Sequence, residues 1–141
     1  MLKHSSKSHA RQPNLFPVFP QLGLIVSPGI KERGAVYTRR ETVDFILDLS
    51  GYTDEKPLHH FRLLEPSIGN GDFLLVAVER LLSVYFKNRH EDSSIFDVLK
   101  DAIRAIEIDT TSIEKASTKI YKFLSNSGVS ANDAEKLIST W

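Results

Sequence analysis

Leu63-Leu64-Glu65-Pro66-Ser67-Ile68-Gly69-Asn70-Gly71-Asp72-Phe73-Leu74-Leu75 is the stretch that decides the fold. An apolar run ends in a carboxylate, a proline interrupts further ladder pairing, and two glycines one residue apart open a hydrophobic helix. Such a strand–turn–helix brings bare backbone close to a ligand and aims the free amides of the helix start at it. The acid in front narrows the choice of ligand. A carboxylate there repels a pyrophosphate and holds a cationic amine, and two glycines leave the three-glycine dinucleotide fingerprint incomplete. An aminoacyl group suits the turn, and the loop is read as one for S-adenosylmethionine. A Gly-x-Gly pair alone also serves as a plain structural turn, so the reading leans on Glu65-Pro66 before it and Asp72-Phe73-Leu74 behind. Asp72 either complements the helix dipole or orders the ligand's amine.

Downstream of the turn, Phe73, Leu74, Ala77, Val78, Leu81, Leu82 and Tyr85 recur at helical spacing. The pattern fades in the charged segment 87–92. Ile95, Val98, Leu99, Ala102 and Ile103 predict a second helix over 94–103, and Ala105-Ile106-Glu107-Ile108-Asp109 reads as a strand. Thr111 and Glu114 form a capping box. The helix behind it buries Ile113, Ala116, Ile120 and Phe123 and stops before Gly128; a last helix starts near Asn132 and runs into Trp141. Upstream, Thr38 and Glu41 make another capping box, followed by Val43, Ile46 and Leu47, with Gly51 as the stop. A polar linker, 52–57, leads to a strand over 61–65.

This order is helix, strand, glycine turn, two helices, strand, two helices: an α/β chain whose parallel strands are joined by a crossover. Two parallel strands are too few for a stable sheet with both faces covered. The expectation is therefore a partial, truncated or split domain, an N-terminal helical segment plus the first βαβ unit. Residues 1–33 are set apart as a tail or extended arm. Pro13, Pro17 and Pro20 deny it regular structure, although Phe16, Phe19 and Leu22 could dock on a neighbouring surface.

Composition excludes more than it assigns. Of 141 residues, 41% are apolar and 26% charged, as in an ordinary globular domain. Eighteen basic and eighteen acidic residues cancel, so the chain lacks the basic footprint of a nucleic-acid-gripping module. There is no cysteine, hence no disulfide or thiolate metal site. No apolar run approaches the roughly 18 residues of a membrane span, and no secretory signal opens the chain, so a cytoplasmic location is expected. His59 and His60, adjacent in sequence, point to opposite faces and do not make a metal site.

In an open α/β sheet, ligands lie at the carboxyl ends of the strands. Glu65 ends the first strand and Glu107 the second. A carboxylate at the second position commonly accepts both hydroxyls of a ribose, though a solvated terminal acid is the plain alternative.

Three blocks, in order, give the chain a family resemblance. Residues 34–46, Gly-Ala-Val-Tyr-Thr-Arg-Arg-Glu-Thr-Val-Asp-Phe-Ile, are similar to the opening Gly-x-x-Tyr-Thr-Pro motif of adenine-specific (N6) DNA methyltransferases of restriction-modification systems. Residues 64–74 resemble that family's Asp/Glu-Pro-x-x-Gly-x-Gly-x-Phe-Leu cofactor loop, and 105–109 its ribose-acid strand. The resemblance spans roughly 34–125, and residues 34–141 would be the N-terminal part of a Rossmann-like methyltransferase domain, incomplete as it stands. It implies that Thr38, Glu65, Gly69 and Gly71 hold the methionine portion of S-adenosylmethionine, with Tyr37, Pro66 and Phe73 also among the cofactor-binding residues. It also implies that Glu107 takes the ribose hydroxyls and Ile108 packs on the adenine.

Two positions depart from the family. Arg39 replaces the usual proline, which preorganises a first helical turn. The catalytic Asn/Asp-Pro-Pro-Tyr/Phe motif, which would hold the extruded adenine, is absent from the sequence. No catalytic residue is assigned, and the chain alone is expected to bind cofactor weakly and not to methylate. Its partners would be DNA, reached through regions not present here, and a companion chain completing the domain. Alternatives are a methyltransferase acting on RNA or protein, a non-catalytic remnant or interaction subunit, and a nicotinamide-dependent oxidoreductase, which Glu65 and the missing third glycine disfavour.

Overall fold

The apolar stripe after Gly71 becomes the axis of the molecule. In the computed structural model, which describes residues 38–88 and 93–141, helix α2 (Asp72–Lys87) buries Leu74, Ala77, Val78, Leu81, Leu82 and Tyr85. Val76 and Val84 lie off that stripe and are buried as well. They share a helix face with Arg80, at i and i±4, and that face meets α1 (Arg40–Leu49). Arg80 joins the two helices. Its guanidinium donates to Asp44 Oδ1 (2.8 Å), to Asp48 Oδ1, and to the carbonyls of Tyr52 (2.9 Å) and Asp44 (3.2 Å). Only 13% of that side chain is exposed, so its donors need these acceptors. Arg40 adds a second tie, 2.7 Å from Glu79. The arm 1–33 and Tyr37 lie outside the described residues.

Helix α1 is capped by Arg39, whose carbonyl accepts from Thr42 and Val43 (both 3.0 Å), with no side-chain cap. The Thr38–Glu41 capping box does not form, because the helix starts one residue later than the motif requires. Val43 and Leu47 face the core, whereas Ile46 is 41% exposed. The far end closes as expected of glycine. Gly51 has φ +76, the Tyr52 amide donates to Leu47 O (2.8 Å) and the Gly51 amide to Asp48 O (3.0 Å), a Schellman stop. The linker behind it is not merely polar: Tyr52 is buried, edge-on to Phe61 at 6.1 Å, and its hydroxyl has no hydrogen-bond partner among the described residues.

Strand β1 is shorter than expected, Leu63–Glu65, because a 3-10 turn at Leu58–His60 sinks Leu58 into the core just before it. The second strand, β2, is Ile103–Ala105 rather than 105–109. The preceding helix is correspondingly short, α3 (Ile95–Leu99) rather than 94–103. Burial explains both shifts: Ile103 is fully buried opposite Leu63, while Ile106 and Ile108 are 53% and 96% exposed. The apolar run that suggested a strand is a surface run, and the strand took residues assigned to the helix. Glu107 consequently stands two residues beyond the strand's end.

The strands are parallel, pairing Leu63 with Ile103, Leu64 with Arg104 and Glu65 with Ala105. With α2 and α3 between them, this is the expected α/β crossover unit. Among the described residues the sheet has two strands and five helices accompany it. Helix α4 (Thr110–Asn126) is capped by Asp109, whose Oδ2 accepts from the Ser112 amide (3.0 Å) and hydroxyl (2.7 Å); the Thr111–Glu114 box is not used. It buries Ala116, Ile120 and Leu124, with Phe123 half-buried and Ile113 38% exposed. Helix α5 (Ala131–Thr140) is capped by Ser130. It ends in Trp141, whose indole donates to Leu99 O (3.0 Å) and whose carbonyl accepts from the Ala105 amide (2.7 Å).

The two glycines of the turn serve different ends. Both have positive φ, +53 at Gly69 and +77 at Gly71. A Cβ on Gly71 would sit 2.8 Å from the Cβ of Ala116, so α4 closes down on that residue; a Cβ on Gly69 would meet nothing within 4 Å. Gly71→Ala should therefore cost about 2–4 kcal/mol, backbone strain plus overpacking, and Gly69→Ala about 1 kcal/mol, strain alone. Urea unfolding midpoints of the two variants check the difference, and equal losses would contradict it.

Candidate functional site

The parallel register sets the site. Pairing Glu65 with Ala105 makes the two chain segments leave the sheet side by side, and the ladder continues past the strands. The Ile106 amide donates to Glu65 O (2.8 Å) and the Ile68 amide to Ile106 O (3.2 Å). These bonds bring the glycine turn against the exit of β2. There the Gly69 amide donates to Glu107 Oε2 at 2.9 Å, while Glu107 Oε1 accepts from Ile108 (2.8 Å) and Asp109 (3.0 Å). The turn closes on itself through Gly71 N–H to Ile68 O (2.9 Å).

The carboxylates at the two strand exits are driven in opposite directions. Glu107 is held below the usual carboxylate range by the amides of Asp109, Gly69 and Ile108, in that order of weight. Glu65 is pushed up by burial, which its one donor, the Ser67 amide at 3.1 Å, offsets only in part. Among the described residues this half-buried carboxylate has a single N–H donor and so is short of positive partners, and a ligand's ammonium would supply one. Glu107, by contrast, already accepts three backbone amides and keeps room for a further donor.

Around these acids the other expected residues are placed unevenly. Pro66 is exposed beside the turn, and Phe73 is half-buried and packed on the core. Gly71 is closed off by Ala116, so of the two glycines it is Gly69 that presents open space. Ile108 is 96% exposed, an apolar side chain standing free next to Glu107. Thr38 is half-buried but forms no hydrogen bond with another described residue, so the structure does not bring its hydroxyl to Glu65. Tyr37 falls outside the described residues.

Asp72 has a partner that neither sequence reading named. Its Oδ1 lies 2.6 Å from Lys119 Nζ on α4, so the carboxylate at the start of α2 is already engaged in an ion pair. Lys119 and Ala116 fix the turn against α4; the sequence reading put Ala116 on the buried face of its helix but not against Gly71, and it did not name Lys119. Neither carries a local signal, since each acts on a residue more than 40 positions away.

A small cavity of about 180 Å³ opens beside Glu107, lined by Ile68, Leu74, Ile113, Ile120 and Trp141. A larger one, about 370 Å³, lies at the amino ends of the strands among His59, His60, Arg62, Tyr85, Asp97 and Asp101. Ligands of open α/β sheets sit at the carboxyl ends, and the shifted acids are found there too, which favours this end as the candidate site; of the expected residues, Glu107 lines the smaller cavity and Glu65, Gly69 and Ile108 do not. Among the described residues no cluster of three metal-ligating side chains forms, and no helix is long and apolar enough to cross a membrane.

No protein-family model and no solved structure matches the chain. Curated relatives do. It is 46% identical over 118 residues to the Type II methyltransferase M.PaeR7I of Pseudomonas aeruginosa. It is 43% identical over 110 residues to the Type II methyltransferase M.XhoI of Xanthomonas vasicola. It is 36% identical over 118 residues to the Type II methyltransferase M.BstVI of Geobacillus stearothermophilus. The matches cover 84%, 78% and 84% of the chain and 20%, 20% and 21% of the relatives. The chain thus spans about a fifth of their length.

The shifted acids predict a pH signature for the unliganded chain. Glu107, depressed, adds stability above the usual value of 4.5, which is lost as pH falls through its lowered value. Glu65, raised, favours its protonated form, so its contribution is present below 4.5 and lost as pH rises past its raised value. Glu107→Gln should flatten the acid limb of the stability profile, and Glu65→Gln should stabilise the unliganded chain at neutral pH. Urea midpoints across the acid-to-neutral range check both signs.

Proposed function

From the premise that this chain is a relative of Type II methyltransferases, the resemblance its sequence blocks carried, we propose that it is the S-adenosylmethionine-binding part of a DNA methyltransferase acting on the N6 amino group of adenine. The observation that carries the reading is the pair of carboxylates at adjacent parallel strand exits, one with a single described donor and one anchored by three amides, with the open Gly69 between them. A sulfonium nucleoside matches that arrangement end to end. Glu65 would receive the ammonium of the methionine portion, with Pro66 and Phe73 shaping the turn and Gly69 leaving room for close approach. Glu107 would receive the ribose hydroxyls, and the exposed face of Ile108 would pack on the adenine. Tyr37 and Thr38 would close the methionine end, and Gly71 supports the turn from behind.

When bound, the sulfonium supplies an activated methyl group and no metal is required. The residues of this chain hold and orient that donor. The Asn/Asp-Pro-Pro-Tyr/Phe tetrapeptide that would position an adenine is absent from the sequence. In this reading, residues 34–141 form the cofactor-binding part of the domain, while the base pocket and the grip on DNA come from polypeptide beyond this chain, or from a companion chain. The equal counts of basic and acidic residues agree with that division. The adenine assignment rests on the resemblance of the three sequence blocks.

Calorimetric titration of the 141-residue chain with S-adenosylmethionine tests the proposal, with NAD as the competing ligand. Binding of the sulfonium nucleoside is expected, weakened about tenfold or more by Glu65→Ala, the scale of a hydrogen bond to a charged group. Unfolding midpoints should not fall in that variant. Binding of NAD with none of S-adenosylmethionine would refute the reading.

A further inference from the structure

Glu107 has one carboxylate and two structural tasks. Oε1 accepts the amides of Ile108 and Asp109, which folds the chain tightly around the exit of β2. Oε2 reaches across to the Gly69 amide, 38 residues away, at 2.9 Å. Gly69 has no side chain, a φ of +53 and nothing within 4 Å of where a Cβ would stand, so on that side packing does not hold it. What fixes its place is hydrogen bonding, and its own amide is given to Glu107.

We infer that Glu107 is a positioning residue for the glycine turn: its carboxylate bolts the Gly69 amide and so sets the geometry of the loop that faces the amino-acid end of the ligand. This rests on the cofactor reading above and deepens it. One side chain would then govern both ends of the nucleoside, one by contact with the ribose and the other through the loop. Length matters as much as charge. Aspartate keeps the charge but is one methylene shorter, so it should lose the bridge to Gly69 while still accepting from the neighbouring amides.

Amide hydrogen exchange of the unliganded 141-residue chain, read by NMR, tests the bolt in wild type, Glu107→Asp and Glu107→Ala. The Gly69 amide should exchange about tenfold faster or more in both variants, the scale of one lost charge-assisted hydrogen bond, with amides in the middle of α2 unchanged. S-adenosylhomocysteine and its 2′,3′-dideoxy analogue then separate the two tasks, because the analogue has no hydroxyls for a carboxylate to hold. Glu107→Ala should weaken the analogue about tenfold as well. Unchanged exchange at Gly69, or equal affinity of wild type and Glu107→Ala for the analogue, would overturn the inference.

Should neither nucleoside bind wild type, the cofactor reading fails, and exchange at Gly69 still decides whether Glu107 sets the turn. If the alanine variant does not fold, acid titration of the wild-type amide shifts decides it. Gly69, Ile108 and Asp109 should move together, below the usual carboxylate range. A Gly69 shift that ignores that titration sinks the idea.

Discussion

The site depends on the register of a very short parallel pair. Three residues of β1 face three of β2, and the Ile106 amide extends the ladder to Glu65 O at 2.8 Å. Slipping one strand by a single residue would turn its side chains to the other face. Ile103 would leave the core, and Glu107 would no longer stand beside Gly69. Full burial of Ile103 is therefore what holds a surface acid in place, well outside the strand itself.

The helices make that register durable. Helix α2 carries more of the core than any other element, and its start is gripped at two points by α4. Ala116 presses on the bare Cα of Gly71, and Lys119 pairs with Asp72. On the opposite flank Arg80 binds Asp44, Asp48 and two carbonyls of α1 and the stretch after it. The turn thus hangs from a rigid helix at one end and a paired strand at the other, with only its middle, around Gly69, left open. That division of labour between two neighbouring glycines follows from where α4 lies.

Elements with strong local chemistry were legible in the sequence. The twin-glycine turn, the apolar stripe of α2 and the glycine stop of α1 appear where their residue patterns place them. Features decided by distant partners were not. Ile106 and Ile108 look like strand residues by composition, yet they are exposed, and the strand lies two residues earlier because Leu63 needs a buried neighbour. Thr38 and Thr111 sit in plausible capping boxes, but the helices start at Arg40 and Thr110, so Arg39 and Asp109 take the cap positions. Tyr52 reads as linker and is core, with the ring of Phe61 packed edge-on against it. Around the turn, the sequence pattern put Glu65, the two glycines and Glu107 near the strand exits, but not the contacts of Ala116 with Gly71 and of Lys119 with Asp72, which depend on where α4 lies.

The outward side of the sheet has a consequence for handling this polypeptide. Leu64 on β1 is 61% exposed, Phe45 and Leu49 on α1 are 58% and 78% exposed, and no other described strand covers the outer edge of β1. A hydrophobic side chain on an unpaired edge invites other backbones to add to it, and sticky helical patches favour self-association. In dilute solution without a covering partner, colloidal behaviour rather than folding equilibrium would set how much of this material stays monomeric.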